Sequence, residues 1–196
     1  MARPSKFSAE QILDAARDVV FSVGKDASVA LVAAELGGPV GSVYHRFASR
    51  EELFVALWVR SIRRFHVGLL DALDDGSPAD AVLATAMHIP RYCRLEPAEA
   101  AAMTLYRWER VRQAPPQRYA DEVETLNDDV FAAMARLCTR RYGRATERRR
   151  RVLDIAIRQS PYGLVRPYIG PGSDGVPEWM DEVVVTASRA IAALGD

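Results

Sequence analysis

The feature that most constrains this chain is a helical beat of apolar residues, closed at both ends by residues that stop helices. Ser8 followed by Gln11 forms a capping box, and Phe7 with Ile12 stands at the two positions of a hydrophobic staple. Ile12, Ala15, Ala16, Val19, Val20 and Val23 then fall on one face, and Gly24 supplies a C-terminal stop. The same spacing of three and four recurs along the chain, while strand-like alternation is nearly absent. An all-α fold of about nine helices follows, with an N-terminal three-helix unit ahead of a C-terminal bundle.

After Gly24, Ser28 caps a second helix carrying Val29, Val32, Ala33 and Leu36, which Gly37-Gly38-Pro39 breaks. A short helix from about Pro39 to His45 turns Val43 and Phe47 inward. Ser49-Arg50-Glu51-Glu52 is a second capping box and opens a long helix over about 50–73, lined by Leu53, Phe54, Leu57, Trp58, Ile62, Phe65, Leu69 and Leu73. Further helices are predicted over about 78–94 (kinked by Pro90), 97–112, 116–141, 145–166 and 178–194, with a loop over 167–177.

Hydrophobic residues make up 49% of 196, enough for a substantial core, and no apolar run reaches the ~20 residues of a membrane helix. Met-Ala-Arg-Pro-Ser-Lys leads into the first helix without an apolar stretch, so no secretory signal is expected. Cys93 and Cys138 suit no metal spacing and read as small buried hydrophobes in a reducing cytoplasm. No metal or cofactor is expected. The formal charge is zero, but residues 1–65 hold nine Lys/Arg against seven Asp/Glu, a net +2 that leaves −2 for the rest. The asymmetry weakly favours a polyanion partner at the N-terminal end.

Two short helices joined by a glycine turn and braced by a preceding helix form a unit that reads the DNA major groove. The ordered set Ile12-Leu13-Asp14-Ala15-Ala16, Gly24, Ser28-Val29, Val32-Ala33, Gly37, Gly41-Ser42-Val43-Tyr44, Phe47 and Ser49-Arg50-Glu51-Glu52-Leu53 resembles the DNA-binding domain of the Tet-repressor (TetR) family. The resemblance covers residues 7–58, about a quarter of the chain. It implies a reading head over 1–48 and a ligand-binding and dimerising body over 49–196, linked by the helix at about 50–73. It also implies that Ser28 caps its helix and bonds a phosphate, that Gly41 lets backbone approach DNA, that Ser42, Tyr44 and His45 touch phosphates or base edges, and that Arg50 meets a phosphate. Tyr44 as a core aromatic, and His45 as an ordinary surface residue, remain the alternatives.

The chain departs from the family where Pro39 and Val40 replace a common Ser and Lys, and where Ala30 and Leu31 replace residues that are often polar. Val40 cannot hydrogen-bond a base but can pack on a thymine methyl. Arg3 and Lys6 are either a minor-groove arm or a free tail.

For the body, the resemblance implies a homodimer through the helices at about 145–166 and 178–194, where Val183, Val184, Ala187, Ala190, Ile191 and Leu194 alternate with small residues. It also implies an effector site, for which His88, Tyr92, Met103 and Trp108 are the candidates among many aromatic and soft residues. The run 148–151 of four arginines reads as a solvated helix face. Phosphate loops, dinucleotide fingerprints and metal-ligand motifs are absent, so an enzyme is not expected. The expected function is a ligand-responsive repressor on a palindromic DNA operator; the alternatives are a dimerising helical adaptor with weakened DNA binding and, remotely, an enzyme on a helical bundle.

Overall fold

The computed structural model describes residues 7–196; Arg3 and Lys6 lie outside the described residues. The described residues form helices and turns without a strand. In order they are α1 (Ala9–Val23), α2 (Val29–Glu35), α3 (Val40–Tyr44), α4 (Arg50–Asp74), α5 (Pro78–Leu95), α6 (Pro97–Met103), α7 (Trp108–Val111), α8 (Ala120–Thr125), α9 (Asp128–Tyr142), α10 (Glu147–Asp154), α11 (Ser160–Val165) and α12 (Met180–Ala193).

The local signals at the N-terminal end do what they predict. Ser8 Oγ accepts from the Gln11 amide at 3.2 Å while Gln11 Oε1 accepts from the Ser8 amide at 2.9 Å. The two glycines after α2 serve different ends. Gly37 takes φ 62°, which side chains resist, whereas a Cβ on Gly38 would sit 2.5 Å from the Phe7 ring. The glycine pair thus turns the chain and lets Phe7 close over the turn. Pro39 is the residue before α3 rather than its first residue, a shift of one position.

Packing divides the chain into two compact units. The first holds the described residues up to Ile62, with Pro97–Leu126 and Gly170–Gly172. Its core joins Ile12, Ala16, Val20, Val32, Val43, Phe47, Leu53, Phe54 and Leu57 to Ala102 of α6. A second cluster gathers Val55, Trp58 and Val59 of α4 with Val111, Val123 and Leu126. Each fully buried side chain of this size contributes about 1.5–3 kcal/mol. The other unit holds Arg63–Glu96, Asn127–Ile169 and Ser173–Asp196. There Leu69, Leu73, Val82, Leu137, Leu153, Ile157 and Ala192 form the core, and α5 lies along α12.

Three predicted helices differ in detail. The one over 97–112 breaks after Met103, because the Trp58 indole takes the Met103 carbonyl at 3.2 Å and the Thr104 hydroxyl turns back onto Ala101 at 2.8 Å. The one over 116–141 becomes a short turn at Gln117–Tyr119, then α8 and α9, divided where Asn127 (φ −107°, ψ 3°) leaves helical geometry. The one over 145–166 starts at its Thr146 cap and contains a wide turn at Ile155–Gln159, where the Ser160 amide reaches back to the Ile155 carbonyl. Pro161 cannot donate to Ile157, and the wide turn absorbs that loss. It also keeps Leu153, Ile157, Pro161 and Val165 buried together. Those residues recur every fourth position, a repeat that drifts about 40° per turn around an ordinary α-helix. Pro90, by contrast, sits buried inside α5 without ending it.

Candidate nucleic-acid interface and effector region

The reading surface is built by α2, the glycine turn and α3. Ser28 Oγ accepts from the Leu31 amide at 3.3 Å and so caps α2. Val43 and Phe47 are 1% and 2% exposed and fix the inward side of α3. On the outward side lie Pro39, Val40, Gly41, Tyr44 and His45, with Ser42 half-buried. Tyr44 is 48% exposed, which removes the core-aromatic alternative. Ala30 and Leu31 of α2 are exposed as well. A Cβ on Gly41 would meet nothing within 4 Å, so nothing inside the chain asks for glycine there.

Arg50 is already engaged: it donates to the Ala27 carbonyl at 2.9 Å and stacks over Phe54 at 4.8 Å. It ties the start of α4 to the residue before the α2 cap. Ser49 accepts from the Glu52 amide at 3.0 Å, as its capping box predicts. The Glu52 carboxylate, however, accepts from Arg118 at 3.2 Å, and Arg118 also donates to the Arg46 carbonyl at 3.0 Å. Arg118 thus latches the turn between α7 and α8 onto the turn after α3. No sequence signal pointed to it, because its partners are 66 and 72 residues away.

A second unanticipated group braces the head. Glu99 of α6 is 2% exposed and accepts from the Ser61 hydroxyl at 2.5 Å. Arg17 of α1 and Arg60 of α4 approach its other oxygen at 3.5 and 3.7 Å, and Arg60 also bonds Glu10 and Asp14 at 3.0 Å. Three helices are therefore pinned by one buried carboxylate.

The four effector candidates fall into different units. His88 and Tyr92 belong to the second unit, where Phe65 touches both rings, with centroids at 4.7 and 5.1 Å. His88 Nε2 lies 2.9 Å from the Phe65 carbonyl, and Gly68 leaves room for the imidazole. Burial lowers the pKa of His88, and lowers that of His66 to about 4 against the pull of Asp129, so both rings are neutral near pH 7. Met103 and Trp108 belong to the first unit, their hydrogen bonds going to Trp58 and to the Val123 carbonyl. Trp108 helps line an open groove of about 350 Å³ with Glu109, Arg112, Gln113 and Glu124.

On α12, Val184, Ser188 and Ala192 are buried within their own unit, whereas Trp179, Val183, Ala190 and Leu194 are exposed. The arginine run divides: Arg149 donates to the Tyr142 and Gly195 carbonyls, while Arg148, Arg150 and Arg151 face solvent. Among the described residues no group of three metal-ligating side chains occurs, and no helix is long and apolar enough to cross a membrane.

Residues 12–57 match the family model for bacterial regulatory proteins of the tetR family. No curated protein matches the chain. A transcriptional regulator from Rhodococcus sp. Rha1 is similar with TM-score 0.70 and 21% identity, over 95% of this chain and 97% of that one. A TetR-like transcriptional regulator from Rhodococcus sp. RHA1 gives 0.66 and 20%, over 95% and 93%. A TetR-family transcriptional regulator from Streptomyces coelicolor gives 0.61 and 24%, over 96% and 99%. At these identities the likeness is one of fold.

Proposed function

We propose that the chain is a DNA-binding transcriptional regulator of the TetR family, a cytoplasmic repressor released by a small, partly hydrophobic effector; the match of residues 12–57 to the tetR family model supports the family. The observation that carries this reading is the outward set Pro39, Val40, Gly41, Tyr44 and His45 on a helix whose other side is locked into the core. Residues 1–48 are the reading head and 49–196 the body. Ser28, Ser42, Tyr44 and His45 make the polar contacts, and Arg50 adds a phosphate contact through donors not used on Ala27.

The exposed residues Trp179, Val183, Ala190 and Leu194 support a homodimer through α10–α11 and α12. Two-fold symmetry would then set two recognition helices roughly 34 Å or a longer distance apart, on a palindromic operator. The effector acts by linkage: it binds the DNA-free arrangement more tightly, and the ratio of its two affinities sets the response. Phe65, His88 and Tyr92, neutral and aromatic, suit an uncharged ring or chain, and Met103 and Trp108 remain candidates.

The test is a gel-shift of the chain's own upstream region with the full-length protein. Retardation at low salt that weakens steeply as salt rises supports the reading, whereas no retardation at low salt leaves a dimerising adaptor. Gly41→Ala sharpens the result. It should raise the unfolding free energy slightly, by about 0.4–1 kcal/mol, since Gly41 is helical and its Cβ would have open space, yet weaken DNA binding.

A further inference from the structure

The helix pair is unusual in what it lacks. From Ala27 to His45 the chain contains no Lys, Arg, Asn, Gln or Asp. Arg and Lys are the side chains that bond guanine at two points, and Asn and Gln those that do so with adenine. The single acid of the stretch, Glu35, ends α2 at the opposite end from its Ser28 cap. What the pair exposes instead is hydrocarbon. Leu31, Val40 and Tyr44 are 43%, 39% and 48% exposed, and Ala30 and Pro39 are exposed beside them. A core requirement does not explain them, because Val43 and Phe47 already hold α3 to the core.

In the major groove one standard base carries an apolar group, the 5-methyl of thymine. We propose that this head reads its half-site through thymine methyls. Val40 and Tyr44 of α3 cover the methyl of one or two thymines, and Leu31 extends the apolar surface from α2. Hydrogen bonds from Ser42 and His45 then set register rather than sequence. The inference rests on the DNA-binding reading above and names the base chemistry that reading leaves open.

The experiment uses the full-length protein to select duplexes from a random-sequence library at low salt. The enriched duplex is resynthesised with deoxyuridine replacing each thymidine in turn, which removes only the methyl. At one or two positions per half-site Kd should rise about fourfold, the effect of one methyl-sized group returned to water. Val40→Ala should bind the thymine and uracil duplexes equally at one of those positions, and Leu31→Ser should erase a smaller difference. Both side chains are exposed, so circular dichroism and the unfolding midpoint should be unchanged. An enriched duplex indifferent to uracil at every position overturns the proposal and leaves DNA binding standing. A library that yields no enriched duplex overturns the DNA-binding reading, and the proposal falls with it.

Discussion

The two compact units keep opposite kinds of interior. In the first, a carboxylate that is 2% exposed is held by a serine and two arginines drawn from two helices. In the second, the titratable rings beside Phe65 are kept neutral by burial. A buried charge is directional and unforgiving: it fixes helices in one arrangement and leaves a large penalty if a partner goes missing. A neutral aromatic cluster leaves no unpaired charge behind when one ring is lost; what it loses is packing. The ion-pinned carboxylate thus belongs to the unit that contains α2 and α3, and the neutral rings belong to the other.

The largest expected effect breaks the ionic side of that contrast. Glu99→Ala removes the carboxylate shared by Ser61, Arg17 and Arg60, and should destabilise the chain by about 3–5 kcal/mol in urea unfolding. A loss under about 1 kcal/mol would mean that the cluster is wet and does not pin the helices.

The neutral side is tested by pH. His66 has its folded pKa lowered to about 4, below the ordinary value of 6.5, so the unfolded chain takes up the proton first. Stability is therefore complete above about pH 6.5 and falls as pH drops from there toward 4, by up to about 1.4 kcal/mol per pH unit. Urea midpoints at pH 7, 5.5 and 4.5 should show this slope, and His66→Gln should flatten it. His88 shifts in the same direction, so a residual slope in the variant is its signature.

Smaller again is Arg118→Ala. Its side chain is 60% exposed, so the loss of its bonds to Arg46 and Glu52 should lower stability by less than about 1 kcal/mol. Its sharper readout is hydrogen exchange at the turn after α3, which should quicken without change in the unit's core. The smallest effect concerns the thiols. Burial pushes Cys93 up to about 11 and Cys138 is wholly enclosed, so neither should react with a thiol reagent until the chain is unfolded.

How far the sequence carried the reading depends on the range of each cause. The Ser8–Gln11 box, the Ser28 cap and the turn at Gly37 are settled within four residues, and all were legible. The break after Met103 was not, because its cause is an indole 45 residues upstream. Nor was the Arg118 latch, whose glutamate looked fully used by a capping box. Tyr44 and Val40 could be placed on the outward side of α3 from the spacing of Val43 and Phe47. His88 with Tyr92, and Met103 with Trp108, looked like one set because aromatic content is visible in sequence while the partition between units is made by packing.

The wide turn at Ile155–Gln159 has a further consequence. It acts as a frame correction, one extra residue that resets the phase of everything after it. Substitutions there alter single contacts. Deleting one residue would instead rotate α11 by about 100° and exchange the environments of buried Pro161 and exposed Tyr162. Among close variants of this chain, length should therefore be held constant between Leu153 and Val165 even where the residues themselves change freely.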